Sequence, residues 1–243
     1  MKKISLLLWL CAAVFSTAQV RYLEYDVYTK SPVSEQIYHQ LAQVTMNEEG
    51  CNYILLPIDN LDKGATSRKM VVYDKNNFSY TQYTGKDGAL ISDRLQAKNY
   101  LLKDPHTEMN WTLSDRTKIV NGRTLKKAST TFRGRHYTVW YDENVKAPFG
   151  PWKFHGLGYQ IVEASCHDGN FRWVLKNSKQ LSQKPFVPAL AQTESSSFRP
   201  YTDYPKLAYG LSPELKMALS KNPHNTMIEQ ERHQLETKFE WEE

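Results

Sequence analysis

Residues that can act as nucleophiles, general bases or metal ligands occur in this chain, but they are scattered. None of the seven histidines stands at zinc-binding spacing from another histidine or a cysteine, and neither H-E-x-x-H nor C-x-x-C occurs. Cys166, His167 and Asp168 are adjacent, but neighbours on a strand point to opposite faces, which argues against a Cys–His dyad. The sequence therefore predicts no catalytic residue, no metal site and no cofactor.

Two further catalytic signatures are missing. Gly156-Leu157-Gly158 lacks the strand, glycine turn and helix of a phosphate-binding loop, and there is no G-x-S-x-G serine elbow. A fold can still bring together two carboxylates from distant positions for hydrolysis. A hydrolase with a fold-assembled site is therefore the alternative to a non-enzymatic binding protein.

Aromatic and basic side chains are concentrated between positions 132 and 161. Exposed ring faces beside cations form a common recognition surface. The sequence accordingly predicts a site for an anionic or hydrophobic ligand, or for an envelope protein partner. Its candidate residues are Trp140, Trp152, Lys153, Phe154, Gly156 and Leu157. The competing interpretation is a buried aromatic hairpin core, in which case the motif is a folding signature.

The elements that must position these residues begin with a hairpin. Arg123 to Phe132 and His136 to Tyr141 are β-prone, and Arg133-Gly134 between them supplies the positive φ of a tight turn. On the second strand, alternation predicts that Tyr137, Val139 and Tyr141 share the buried face, opposite His136, Thr138 and Trp140. The prolines at 148 and 151 then interrupt the sheet ladder.

The runs FRGRHYTVWY and GPWKFHGL resemble the bacterial GLPGLI family. In place of the namesake motif this chain has Gly156-Leu157-Gly158-Tyr159-Gln160-Ile161, which keeps the first Gly, the first Leu and the final Ile only. The resemblance covers about residues 20 to 180, and more loosely Asn222 to Glu229. It implies a signal-bearing envelope protein of Bacteroidetes-type bacteria with no established activity, so it supplies no site residues.

The first residues predict export. Lys2-Lys3 precede an apolar run from Ile4 to Phe15, and Ser16-Thr17-Ala18 provides the small residues of a cleavage site before Gln19. The run is too short to span a bilayer comfortably. We expect a mature protein in the periplasm or outside the cell, which excludes nucleic acid as a partner.

Two cysteines remain after the predicted cleavage, Cys51 and Cys166. An oxidising compartment favours a disulfide between them. Two separate buried thiols are equally consistent with the sequence.

Positive charge is concentrated on the predicted hairpins. Between Thr112 and His155 there are nine Lys or Arg residues against three acids, whereas the whole chain has a net charge of +5. A basic sheet face favours an anionic partner such as lipid headgroups, polysaccharide or an acidic protein. The simpler interpretation is a solvated polar face of a half-buried sheet.

Short β-prone runs separated by turn residues predict a mainly β fold. We expect about eight to ten strands in an antiparallel sheet, a sandwich or an open half-barrel. The predicted strands and hairpins are Val20–Thr29, Asn52–Ile58, Arg68–Tyr73 with Phe78–Tyr83, Leu95–Leu102, Asn110–Leu113, Gln160–Cys166 and Phe171–Leu175, with a turn at residues 84–88. Ser31 to Met46 is predicted as a short helix or a loop.

The C-terminal quarter has a different composition. Prolines and serines from 181 to 211 predict a connector, and Ser212-Pro213 and Thr226 with Glu229 are helix-start signals. The predicted organisation is a signal peptide (1–18), a β-rich domain (19–180) and a connector with short helices (181–243). A structural subunit that docks through these helices is a third functional hypothesis.

Overall fold

The computed structural model describes residues 20–31, 34–56, 80–96, 98–105, 108–181, 186, 188–211, 217, 219–221 and 231–242. It confirms the predicted fold class: the chain is mainly β, with one large antiparallel sheet that does not close. The sheet has 12 strands in the described residues, more than the expected eight to ten.

Most strands that follow one another in the chain are also neighbours in the sheet. The order across the sheet is β12-β6-β5-β4-β3-β2-β1-β11-β10-β9-β8-β7, and β12 is parallel to β6. The strands are β1 Val20–Lys30, β2 Ile37–Met46, β3 Cys51–Leu55, β4 Tyr80–Gly85, β5 Gly88–Leu95, β6 Lys98–Asp104, β7 Thr112–Val120, β8 Arg123–Phe132, β9 Arg135–Lys146, β10 Tyr159–Cys166, β11 Phe171–Leu181 and β12 Arg199–Pro200. One α-helix, α1, spans Tyr204–Tyr209, and residues 217, 219 and 220 are also helical.

Alternation along each strand divides the sheet into two faces. On β9, Tyr137, Val139 and Tyr141 are at most 3% exposed, whereas Trp140 between them is half-buried. The prediction for β9 is thus confirmed. We call the face with Tyr137 the covered face, because the loop after β9 and the C-terminal residues pack on it, and the opposite one the open face.

Two adjoining cores fill the covered face. The larger one joins the central strands to the loop between β9 and β10 and includes Trp152, Phe154 and Trp173. The smaller one joins β5 and β6 to Tyr201, Tyr204 and Phe239. The predicted connector and tail therefore contribute side chains to the core of the protein.

Three predicted elements are wrong. Residues 37–46, expected in a helix or loop from the helical spacing of Ile37, Leu41 and Val44, form β2. Its buried side chains Ala42, Val44 and Met46 instead recur with a period of two, as in a strand that pairs with β1 and β3. The predicted strand from 95 to 102 is split by a turn at Gln96, which has a φ of 47°. Residues 231–242 contain no helix, although Leu235 and Phe239 do pack against the sheet.

Several predictions lie outside the described residues. They are the signal peptide, the strand at Arg68–Tyr73 and the helix starts at Ser212 and Thr226. The described part of the chain contains no helix long and apolar enough to cross a membrane.

Candidate functional site

The predicted binding residues do not form one site, because they lie on opposite faces of the sheet. Trp152, Lys153 and Phe154 are at most 3% exposed within the covered face. Trp140 is half-buried on the open face, and Gly156 and Leu157 lie at the rim of the loop, exposed and half-buried. Binding at Trp140 stays a prediction, but it requires a surface separate from the Gly-Pro-Trp-Lys-Phe run.

The Gly-Pro-Trp-Lys-Phe run turns back on itself and inserts its rings into the core. The Gly150 N–H donates to the Phe154 carbonyl at 2.7 Å, and Trp152 takes a positive φ of 53°. A Cβ at Gly150 would lie 2.7 Å from Cδ1 of Ile161, so this position has no room for a side chain. The Trp152 ring stacks on Trp173 with 6.2 Å between ring centroids. This run therefore acts as a packing motif.

Lys153 is the basic residue of that run, and its ammonium is buried with two carboxylates. Its Nζ donates to Oδ2 of Asp104 at 2.8 Å and to Oε1 of Glu236 at 2.7 Å. It also lies 3.9 Å from the centroid of the Tyr201 ring. All of these partners come from outside the loop, so Lys153 ties β6, the segment before α1 and the C-terminal residues to one point.

Arg133, in the turn between β8 and β9, is the second buried cation. Its Nη1 and Nη2 donate to the two carboxylate oxygens of Asp104 at 2.7 and 2.9 Å, and Nη1 also donates to Glu236 at 2.9 Å. Glu240 accepts two further hydrogen bonds from it, at 3.0 and 2.7 Å. The guanidinium is 5.0 Å from the ring centroids of Tyr201 and Trp241. We call Asp104, Arg133, Lys153, Tyr201 and Glu236 the buried charge cluster.

The cluster satisfies its own charges. Burial alone would raise the pKa of Asp104, but Lys153 and Arg133 hold it below its ordinary value. The Tyr201 hydroxyl donates to Glu236, and burial together with that carboxylate raises the tyrosine pKa well above its ordinary value. Two cations thus face two carboxylates, and all four side chains are at most 3% exposed. Such a buried set of ion pairs fits a structural role better than a catalytic one.

A third carboxylate lies beside the cluster. Asp93 on β5 is half-buried, and burial raises its pKa to about 6, with Glu236 adding to the shift and Lys153 opposing it. Raised and lowered carboxyl pKa values in one region are a feature of acid–base sites. However, two open clefts lie beside the C-terminal residues in the part of the chain that the structure describes, and neither Asp93 nor Asp104 lines either of them.

The C-terminal residues close the covered face over this cluster. The N–H groups of Thr237 and Lys238 both donate to the Arg133 carbonyl, at 2.9 and 3.1 Å. Phe239 is 1% exposed, and Glu236 is 3% exposed. Residues 231–242 are thus built into this chain's own core, so they are not free to dock elsewhere while the protein is in this conformation.

The cysteines are not bridged. Cys51 is buried near the Gly150 carbonyl, whereas the Cys166 thiol donates to Asp168 at 2.7 Å. Burial and the Asp168 carboxylate raise the pKa of Cys166 to about 11, so the thiol stays protonated at neutral pH. Of the two alternatives that the sequence left open, the structure therefore has two separate buried thiols and not a disulfide.

The open face holds three basic residues of the predicted hairpins, of which Arg123 is exposed and Lys118 and Lys127 are half-buried. Lys118 Nζ lies 4.7 Å from the Trp140 ring centroid and pairs with Glu163 at 2.9 Å. Lys127 is directly opposite Trp140 across the β8–β9 ladder, and Arg123 is on the same face at the end of β8. Among the described residues, no carboxylate lies within 4.0 Å of Arg123 or Lys127. We call Lys118, Arg123, Lys127 and Trp140 the basic patch.

Two open clefts flank the C-terminal residues. One of about 900 Å³ is lined by both signs of charge, including Lys30, Glu35, Arg135, Asp168 and Lys238. The other, of about 620 Å³, lies beside Phe132, Arg133 and Glu240. Among the described residues, no group of three or more His, Cys, Asp or Glu is arranged to hold a metal ion.

Asp104, Tyr201 and Glu236 are not among the site residues predicted from the sequence. Each lies more than 45 positions from Lys153, with separations of 49 for Asp104 and 83 for Glu236. One signal was present: a lysine between tryptophan and phenylalanine in a buried run needs a carboxylate partner, since unpaired buried lysines are rare. That signal predicts a partner without identifying it.

No family model and no curated protein matches this chain. A structure of PNGF-II in space group P21 is 15% identical in sequence, covers 79% of this chain and 33% of its own, and has a TM-score of 0.46. The structure of PNGF-II in space group C2 is 17% identical, covers 69% of this chain and 29% of its own, and has a TM-score of 0.44. The chain thus spans about a third of the length of PNGF-II. A putative outer membrane lipoprotein-sorting protein domain from Vibrio parahaemolyticus is 8% identical over 69% of this chain and 87% of its own, with a TM-score of 0.34. Likenesses at this level carry no argument about function, and membership of the GLPGLI family stays a prediction.

Proposed function

We propose that this chain is an exported, non-enzymatic β-protein of the cell envelope, a divergent relative of the GLPGLI family, that binds an anionic partner through the basic patch. The observation that carries the binding proposal is that Arg123 and Lys127 have no carboxylate within ion-pairing distance among the described residues. Both cations lie on the open face, with Lys127 opposite Trp140 and Arg123 four residues away on β8. The export part rests on the signal-like first 18 residues.

The contrast with the other basic residues of this region supports the proposal. Lys153, Arg133 and Arg135 are buried and bound to carboxylates of the chain itself. Lys126 pairs with Glu143 at 2.5 Å. Folding therefore uses several cations of this region internally. The exposed Arg123 and the half-buried Lys127 have no carboxylate partner among the described residues, so a partner's carboxylates or phosphates would gain direct ion pairs with them.

Trp140 gives the patch an apolar centre. The Lys118 ammonium over its ring is a cation–π contact, and the same ammonium pairs with Glu163 at 2.9 Å. A partner that inserts a carboxylate between Lys127 and Lys118 would compete with Glu163 for the same cation. Such binding is electrostatic and weakens as the salt concentration rises.

The test is binding of fluorescently labelled poly-L-glutamate to the mature chain, measured by anisotropy at low and at physiological salt. We expect R123Q/K127Q to weaken binding at least tenfold. The matched control is K98Q/K103Q, which removes two exposed lysines of β6 at the other end of the sheet and should weaken binding less than twofold. Equal losses in the two variants, or no binding by the parent protein, would show that the patch is not a binding surface.

A further inference from the structure

We infer that the partner of the basic patch is an extended, acidic polypeptide segment that adds as a further strand to the free edge of β7. This inference deepens the proposed function and depends on it. It rests on three features of the structure: the edge of β7 with which no described residue pairs, the partial coverage of the opposite sheet edge, and the side chains that β7 presents.

β7 is the last strand of the sheet. It pairs antiparallel with β8, and no described residue pairs with its other side. In an antiparallel strand, alternate residues point their N–H and C=O groups away from the neighbour, so half of the backbone groups of β7 face outwards. A register shift between Ser114 and Thr117 interrupts the ladder but leaves regular pairing at Thr112–Ser114 and at Thr117–Val120. Both stretches are available to a new strand.

The opposite edge of the sheet is treated differently. There β12, residues Arg199–Pro200, covers β6 by pairing with Leu102 and Lys103. Pro200 has no N–H, so the covering strand itself is a poor template for a further one. The chain therefore covers part of this sheet edge, at Leu102 and Lys103, with its own residues, whereas no described residue covers any part of the outer edge of β7.

The side chains of β7 specify the kind of segment that would fit. Leu113 and Ile119 pair with Ala128 and Thr124 on the covered-face side and are 62% and 76% exposed. Lys118 is on the open face, with Arg123 and Lys127 on the neighbouring strand. A strand added to β7 would bury apolar residues beside Leu113 and Ile119 and place its alternate residues beside the basic patch. The matching pattern alternates apolar and acidic residues.

A second copy of this chain fits the edge less well. Antiparallel pairing of two β7 strands would bring the two basic patches next to each other, and like charges at that distance are destabilising. An acidic segment turns the same charges into attraction. The charge of the patch therefore favours another polypeptide as the occupant.

The test uses a labelled nine-residue peptide of alternating Glu and Val, the length of β7, with the mature chain. Two further peptides carry N-methyl groups on alternate residues, in one register or in the other. N-methylation keeps the charge and the side chains of the peptide, but it removes the backbone hydrogen-bond donors along one edge of the peptide strand. We expect one register to weaken binding at least tenfold, because its methyl groups face β7, and the other to weaken it less than twofold.

Protein variants provide the second readout. I119T should weaken peptide binding about fivefold, whereas I37T, which alters a similarly exposed isoleucine on β2, six strands away from β7, should not change it. Failure of the parent peptide to bind, equal binding of both methylated peptides, or dimerisation of the chain through β7 in sedimentation would overturn strand addition. If poly-L-glutamate binding still depends on Arg123 and Lys127 in those cases, the proposed function stands without it.

Discussion

Lys153 and Arg133 lie in the basic, aromatic stretch of the sequence, and both bind buried carboxylates of the chain itself. Their side chains are 1% and 2% exposed, and the Asp104 and Glu236 carboxylates that they bind are at most 3% exposed. Desolvating four such groups is costly, and their mutual hydrogen bonds, together with those to Tyr201 and Glu240, offset the cost. Removing one partner leaves the others buried without compensation, so the cluster is more sensitive to single substitutions than its net contribution to stability indicates.

At this scale we predict that K153M lowers the free energy of unfolding by about 3 kcal/mol, the range for breaking a buried ion pair. Methionine keeps most of the volume of the lysine stem, so the loss reports the missing ammonium. The control is K118M on the open face, where the pair with Glu163 is partly solvated and should contribute about 1 kcal/mol or less. Urea denaturation measures both, and equal losses would mean that burial of Lys153 has no special energetic role.

The hairpin between β8 and β9 connects the sheet to the C-terminal residues. Arg133 and Gly134 both have positive φ, 43° and 82°, as a tight antiparallel turn requires. The turn also exposes the Arg133 carbonyl to the N–H groups of Thr237 and Lys238. This one element thus sets the register of two strands and the docking of a distant segment.

For this element we predict that G134A is more damaging than G122A. Both glycines have a φ that penalises a side chain, +82° and +75°, worth about 1 kcal/mol in each case. A Cβ at Gly134 would in addition run into Oγ1 of Thr237 and lie 3.0 Å from the Lys238 nitrogen, whereas nothing lies within 4 Å at Gly122. Overpacking of this kind adds about 1–3 kcal/mol.

Urea denaturation gives the two stabilities, and limited proteolysis of residues 231–242 reports docking. G134A should make this segment more susceptible to protease, and G122A should leave its susceptibility unchanged. Identical behaviour of the two variants would show that the contact between the turn and the C-terminal residues is not required for docking.

The whole molecule combines carboxyl groups whose titration has opposite effects on stability. Arg133 and Lys153 overcome burial to lower the pKa of Asp104, and hydrogen bonds with Arg133 lower that of Glu240. A carboxyl whose pKa is lowered by folding stabilises the protein above its unfolded value, and this stability is lost as the pH falls. Burial raises the pKa of Asp93 to about 6, so its charged form destabilises the folded state at neutral pH. This cost is lost as the pH falls and Asp93 becomes protonated.

At the scale of the molecule we therefore predict a stability maximum in mildly acidic solution. From neutral pH down to about pH 4, protonation of Asp93 should raise stability, and below about pH 4 protonation of Asp104 and Glu240 should lower it. D93N should be more stable than the parent at pH 7.5, by roughly 1 kcal/mol because the site is half-buried, and the two should converge near pH 4. A constant difference between D93N and the parent across this range would contradict the assignment.

Local patterns determined the fold class and the details of β9 by themselves. Side-chain alternation with a period of two identified Tyr137, Val139 and Tyr141 as buried, and Arg133-Gly134 as the turn, because these features depend on neighbours in the chain. The same reasoning failed for β2, whose strand state depends on pairing with β1 and β3 rather than on its own residues.

Only the tertiary structure decided which aromatic and basic residues are buried. Trp140 and Trp152 are 12 positions apart and similar in type, yet the loop after β9 folds back over the covered face and buries Trp152 while Trp140 stays on the open face. Lys153 in turn owes its role to Asp104 and Glu236, which approach it from 49 and 83 positions away. Contacts at such separations depend on the path of the chain as a whole, which no local pattern encodes.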